Sequence, residues 1–205
     1  MNNMKKALRI AFILSAFVVL YSCNPVEDDS RSPSMLIVDN ILGTDAEGTS
    51  ANFLQSDVVM TSGTIRADTA TATLRVEALD PDPLLGTSQY NDIVVTRYLV
   101  SYSRTDGKGV PGTDVPYPFE GSMSTVVRAG STSSVSFVIV REVAKMEPPL
   151  IGLVDFGAEI VLACTAKVEF YGHDTANRTV KATGYLTVYF ANYADSAEAT
   201  PEATR

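Results

Sequence analysis

The sequence predicts an all-β protein, an antiparallel β-sandwich of about seven strands, between residues 35 and 191. Apolar and polar residues alternate with a period of two through most of that region. Gly, Pro, Asn and Asp punctuate the alternating runs at short intervals. Nowhere does an apolar stripe of helical period persist over three turns, so no long helix is expected.

The first two runs, "SMLIVDNIL" (Ser34–Leu42) and "SDVVM" (Ser56–Met60), are short and suit edge strands. "TATLRVEAL" sets Ala72, Leu74, Val76 and Ala78 against Thr73, Arg75 and Glu77, a half-buried strand. In "DIVVTRYLVSYSR", Val94, Tyr98, Val100 and Tyr102 are expected on one face, and the run ends at the turn signal Asp106-Gly107. "SVSFVIVREV" offers Val135, Phe137 and Ile139 to the core. The clearest run is "AEIVLACTAKVEFYG", with Ile160, Leu162, Cys164, Ala166, Val168 and Phe170 inward. After the turn "HDTANR", "TVKATGYLTVYF" repeats the pattern: Val180, Ala182, Gly184, Leu186, Val188 and Phe190 face in, and Lys181, Tyr185 and Tyr189 face out. Two such runs joined by a short turn make a β-hairpin.

The Tyr98-x-Val100-x-Tyr102 run and the order of strand lengths resemble immunoglobulin and fibronectin type III modules. The chain has no Trp for the core and no tyrosine near the start of the Ala158 run. If Cys23 is used at the N-terminus, Cys164 has no partner for a disulfide.

The N-terminal segment carries an address. Lys5, Lys6 and Arg9 precede an apolar run from Ile10 to Tyr21, broken by Ser15. About 12 apolar residues make roughly 18 Å of helix, too short for a hydrocarbon core of about 30 Å. A basic start, a short apolar run and a small-residue boundary form a secretory signal peptide, expected over residues 1–22. Leu20, Ser22 and Cys23 resemble the lipobox of bacterial lipoproteins, although Tyr21 departs from that family's habit of a small residue there. The resemblance implies cleavage before Cys23, lipid on its sulfur and anchoring in the bacterial cell envelope. Asn24, where an aspartate would favour inner-membrane retention, implies the outer membrane.

Residues 23–34 then read as the lipidated cysteine and a flexible tether, polar and interrupted by Pro25 and Pro33. From Asn192 to Arg205 the chain is small, polar and acidic, a tail with too little apolar surface to pack.

The net charge of −8 becomes −11 if the three basic residues before Cys23 are removed. Such acidity excludes nucleic acid and anionic lipid surfaces as partners held by a basic patch. His173 is the only histidine and is expected in the turn before the last strand, where solvation explains it. A metal site or a hydrolase needs further converging groups. Cys164 is expected to face the core as a small hydrophobe. Asp80 and Asp82 of "DPDP", with Asp92, are the candidate carboxylates for calcium, without the spacing of a dedicated loop. "DGKGVPG" (Asp106–Gly112) lacks the spacing of a phosphate loop and reads as a hairpin connection. Tyr185, Tyr189 and Tyr193 are the candidate interaction surface, because exposed tyrosines stack on sugars or on protein.

The expectation is therefore a lipid-anchored, non-catalytic envelope module without a cofactor. Its partners would be the membrane, through Cys23, and another envelope protein or a glycan. The alternative is a module that binds carbohydrate or calcium.

Overall fold

Alternation of β-branched and polar residues gives nine strands in two sheets among the described residues. The computed structural model describes residues 32–193 apart from residues 46, 60–62, 80–85 and 87. Cys23, Asp80 and Asp82, the signal segment and residues 194–205 lie outside the described residues. The strands are β1 (Ser34–Thr44), β2 (Ser50–Ala51), β3 (Phe53–Asp57), β4 (Asp68–Ala78), β5 (Ile93–Arg104), β6 (Phe119–Val127), β7 (Thr132–Val140), β8 (Leu162–Asp174) and β9 (Thr179–Ala191). One sheet runs β2-β1-β4-β7, the other β3-β9-β8-β5-β6.

Two strands were not expected. β2 is two residues long, and β6 lies at a sheet edge with a largely polar sequence, "FEGSMSTVV", that alternates little. The early edge strand is Phe53–Asp57 rather than Ser56–Met60, and it pairs with β9 in parallel, the exception in an otherwise antiparallel arrangement.

Inward side chains from both sheets share one core. Leu74 and Val76 of β4, Val100 of β5, Val168 and Phe170 of β8, and Val188 and Phe190 of β9 are fully covered. Each such side chain is worth about 1.5–3 kcal/mol of apolar burial. Phe137 of β7 bridges the sheets, edge-on to Tyr98 at 5.1 Å and to Phe170 at 5.4 Å between ring centroids. Tyr102 of β5 donates its hydroxyl to the carbonyl oxygen of Ile139 in the other sheet. Close approach of β1 to β9 is possible because position 184 is glycine. A Cβ there would stand 2.7 Å from Ile41 Cδ1 and 2.8 Å from Val38 Cγ1.

Two expected phases are corrected. In β5 the register shifts between Val95 and Arg97, so one extra residue, Thr96, turns the strand over. Ile93 and Val95 are therefore buried ahead of the bulge, and Val94 is not. Ile160 is exposed, because it lies between the end of a 3-10 turn (Leu150–Glu159) and β8, which begins only at Leu162.

Strand direction defines two poles. Ser34 opposite Ala78, Ile93 opposite Asp174 and His173 opposite Thr179 lie at one, where Asn91 Nδ2 donates to Ser34 Oγ at 3.2 Å. Asp68 opposite Val140, Arg104 opposite Cys164 and Asp57 opposite Ala191 lie at the other. The chain enters the body at the first pole. It leaves at the second, where Asn192 and Tyr193 are fastened rather than frayed: Asn192 Nδ2 donates to Val154 O at 2.7 Å and Tyr193 N to Asp57 Oδ1 at 3.1 Å. The second pole also holds the excursion between β7 and β8, a helical turn α1 (Glu142–Lys145) followed by the 3-10 turn.

Candidate functional site

The outward face of the β8–β9 hairpin carries the expected tyrosines, and strand pairing decides what each one meets. Tyr185 lies opposite Lys167 in the ladder and is 62% exposed. Tyr189, four residues on, is half-buried because β3 runs beside it; its ring meets Phe53 edge-on at 5.9 Å. Tyr193 is half-buried too, and its hydroxyl donates to Tyr189 O at 3.3 Å. The structure therefore joins Tyr189 to Phe53 and Tyr193 to Tyr189, and leaves Tyr185 apart.

Beside Tyr185 lies a charged ladder the sequence reading missed. Glu169 is almost covered and accepts Lys167 at 2.8 Å and Lys181 at 2.5 Å. Hydrogen bonds from these two lysines hold its carboxyl below the usual carboxylate range, and Glu169 in turn raises Lys181. Arg97 of β5 lies over the Tyr171 ring with Cζ 4.1 Å from the centroid, and Lys181 Nζ approaches the same ring at 5.4 Å. Arg97 also pairs with Glu120 at 3.0 Å. The pairing of Tyr171 with both Arg97 and Lys181 across three strands follows from register, and outward alternation in β8 was its signal in the sequence. The result is a sheet face with the exposed Tyr185 ring beside paired cations, suited to stacking and hydrogen bonding.

The other described candidates make contacts within the fold. Asp92 Oδ1 accepts Ala129 N at 3.0 Å and so ties the start of β5 to the β6–β7 turn. Among the described residues no three His, Cys, Asp or Glu side chains converge to hold a metal. His173 is not in the turn but in β8, opposite Thr179, with Nδ1 2.9 Å from Asp174 O. The turn is held by Asp174, whose Oδ1 accepts Ala176 N and Arg178 N, each at 2.9 Å. Its buried Oδ2 has no hydrogen-bond partner. Asn177 completes the turn at φ 62°, a left-handed position that Asn tolerates. Cys164 is fully buried, and that burial pushes its thiol up to about 11.

A buried polar cluster occupies the second pole. Lys145 of α1 donates to Asp57 O at 2.6 Å and lies 2.9 Å from Asp68 Oδ2, which also accepts Ser56 Oγ at 2.6 Å. It pins α1 to one strand of each sheet. Burial raises the Asp68 carboxyl, against the pull of Lys145 and Ser56. Ser56 is fully covered and bonded to a carboxylate, so its hydroxyl has neither a path to substrate nor a free base.

No helix among the described residues is long and apolar enough to cross a membrane. No family model and no curated protein matches the chain. Among solved structures, the chain is similar to Spo0M, a sporulation control protein from Bacillus subtilis, at 10% identity and a TM-score of 0.27. The match covers 77% of this chain and 49% of the other, so the chain spans about half the length of the Bacillus protein. A likeness at that score carries no argument about fold or function.

Proposed function

We propose that the chain is a lipid-anchored, non-catalytic module of the bacterial outer membrane, an immunoglobulin-like β-sandwich that presents an interaction face. The interaction role rests on one observation: Tyr185 stands exposed on a cation-lined sheet face while its neighbours Tyr189 and Tyr193 are engaged. The anchor rests on the lipobox-like boundary at Cys23 and the acidic, Pro-containing stretch behind it. Two sheets sharing a core, with Tyr98 and Tyr102 inward, support the immunoglobulin-like description. The burial of Ser56 and Cys164 supports the absence of catalysis.

Labelling cells with an alkyne fatty acid tests the anchor: the parent chain takes up label and Cys23→Ser does not. Equal labelling of both sinks it. Of the second reading, a carbohydrate- or calcium-binding module, the carbohydrate half is favoured by the same exposed ring. A glycan array with and without calcium, repeated with Tyr185→Ala, separates the two. Glycan binding lost on Tyr185→Ala selects the second reading.

A further inference from the structure

Between β7 and β8 the chain leaves both sheets. On its inner side the excursion is unremarkable: Ala144, Leu150 and Leu153 are buried and Lys145 closes its ion pair. The outer side is not polar. Val143, Met146, Ile151, Phe156, Ile160 and Val161 are each 43–52% exposed. Six of the thirteen large apolar side chains exposed among the described residues thus fall within 19 consecutive positions. Single exposed apolar residues are ordinary, whereas a concentration of them marks a contact surface.

Fraying does not account for this exposure, because backbone bonds hold the segment. Ile151 N donates to Glu147 O at 3.1 Å, Gly152 N to Pro149 O at 3.2 Å, and the side chain of Asn192 fastens Val154 O to the end of β9. The buried side chains fix the direction of the exposed ones.

We propose that this crest is a docking surface for a protein whose own apolar patch is rimmed by Lys and Arg. Charge selects the occupant. Glu142, Glu147, Asp155 and Glu159 stand among the apolar residues, and Lys145, the one base in residues 142–161, is consumed inside. A second copy would set these four carboxylates against the same four. Residues 194–205, which follow Tyr193 at this pole, offer Asp195, Glu198 and Glu202 but no Val, Leu, Ile, Met or aromatic side chain. An anionic bilayer is repelled by the same acids, and Ser32, where the body joins its N-terminal segment, lies at the other pole. A base-rimmed protein satisfies both requirements: apolar contact holds it, and opposite charge steers it and excludes rivals. This surface is separate from the Tyr185 face and stands or falls independently of it.

The test uses the full chain carrying Cys23→Ser and, as probe, a fluorescent amphipathic peptide of Leu and Lys, with its Leu/Glu counterpart as control. The Leu/Lys peptide is expected to bind saturably and the Leu/Glu peptide not. Phe156→Ser with Ile160→Ser should weaken binding about tenfold or more. Glu147→Lys with Asp155→Lys, which keeps every apolar side chain, should also weaken binding and flatten its salt dependence, and it decides the matter if the serine variant unfolds. No binding of the Leu/Lys peptide, or equal binding of both peptides, overturns the proposal. So does a dimer in sedimentation, or adsorption to phosphatidylglycerol vesicles, that is lost in the serine variant, since either assigns the crest to another occupant.

Discussion

Lys145 and Asp68, 77 residues apart in the chain, meet under α1 with Nζ 2.9 Å from Oδ2, and the lysine side chain is only 2% exposed. Such a pair is expensive to break from one side, because the remaining charge is buried alone. Lys145→Met should cost about 3–5 kcal/mol in urea unfolding, and adding Asp68→Asn should restore most of it. The pH profile carries a sign. Asp68 is already raised by burial, and without Lys145 it rises further. An acid with a raised folded pKa contributes stability below its unfolded value, near 3.8 here, and loses it as pH climbs through the folded one. Lys145→Met should therefore be relatively most stable in acid. A profile parallel to that of the parent would remove the pair from the core.

Cys164 should react slowly with a thiol reagent in the native protein and quickly in denaturant, since its thiol is buried and titrates near 11. Cys164→Ala should cost under about 1.5 kcal/mol, whereas Cys164→Asp places an unpaired charge in the core and should prevent folding. Rapid labelling of native protein would put the inward phase of β8 in error.

Glu169, depressed by Lys167 and Lys181, has the opposite sign to Asp68. Its contribution is present above an unfolded pKa of about 4.5 and fades as pH falls through the lower folded value. Glu169→Gln should lose that contribution at neutral pH and match the parent below the folded value, so that the acid limb of the stability curve flattens. An unaltered acid limb would count against the ladder.

In the β8–β9 turn, Asn177→Gly should be neutral or slightly stabilising, while Asn177→Val, strained at positive φ, should cost about 1–3 kcal/mol. Asp174→Ala frees two backbone N–H groups and should cost about 1–2 kcal/mol. His173→Ala should stay within about 1 kcal/mol of the parent. Thermal melts of the four variants rank them; a histidine variant as costly as Asp174→Ala would reverse the assignment.

What the sequence made legible was uninterrupted alternation. From Leu162 to Phe170 and from Ala182 to Phe190 every second residue is buried, and the hairpin reads directly. The phase was lost wherever one residue interrupted it. Thr96 turned β5 over and hid Ile93 and Val95 behind Val94. The 3-10 turn kept Ile160 out of the strand its alternation suggested. Of the candidate face, Tyr185 was placed correctly from its phase alone. Tyr189 shares that outward phase; that Phe53 and Asp57 reach Tyr189 and Tyr193 was not legible, because they do so through a parallel strand pairing across more than 130 residues, which no local pattern announces. The Lys145–Asp68 pair was hidden because its two residues, on α1 and β4, lie 77 positions apart. The Tyr171 ladder depended on which residue of β5 faces it across the bulge.

The placement of chain entry and exit at opposite poles also governs how the body bears tension. Load drawn between Ser32 and Tyr193 pulls β9 lengthwise past β8, so the twelve paired positions from Leu162–Phe190 to His173–Thr179 share it at once instead of parting in sequence. Load applied between Leu162 and Tyr193, both at the exit pole, opens the same ladder one pair at a time. Forced unfolding reports the barrier and not the equilibrium, so single-molecule extension should find the first geometry markedly stronger than the second. Pulled between Ser32 and Tyr193, the body would in this way be held by the longest hairpin among its described residues in shear.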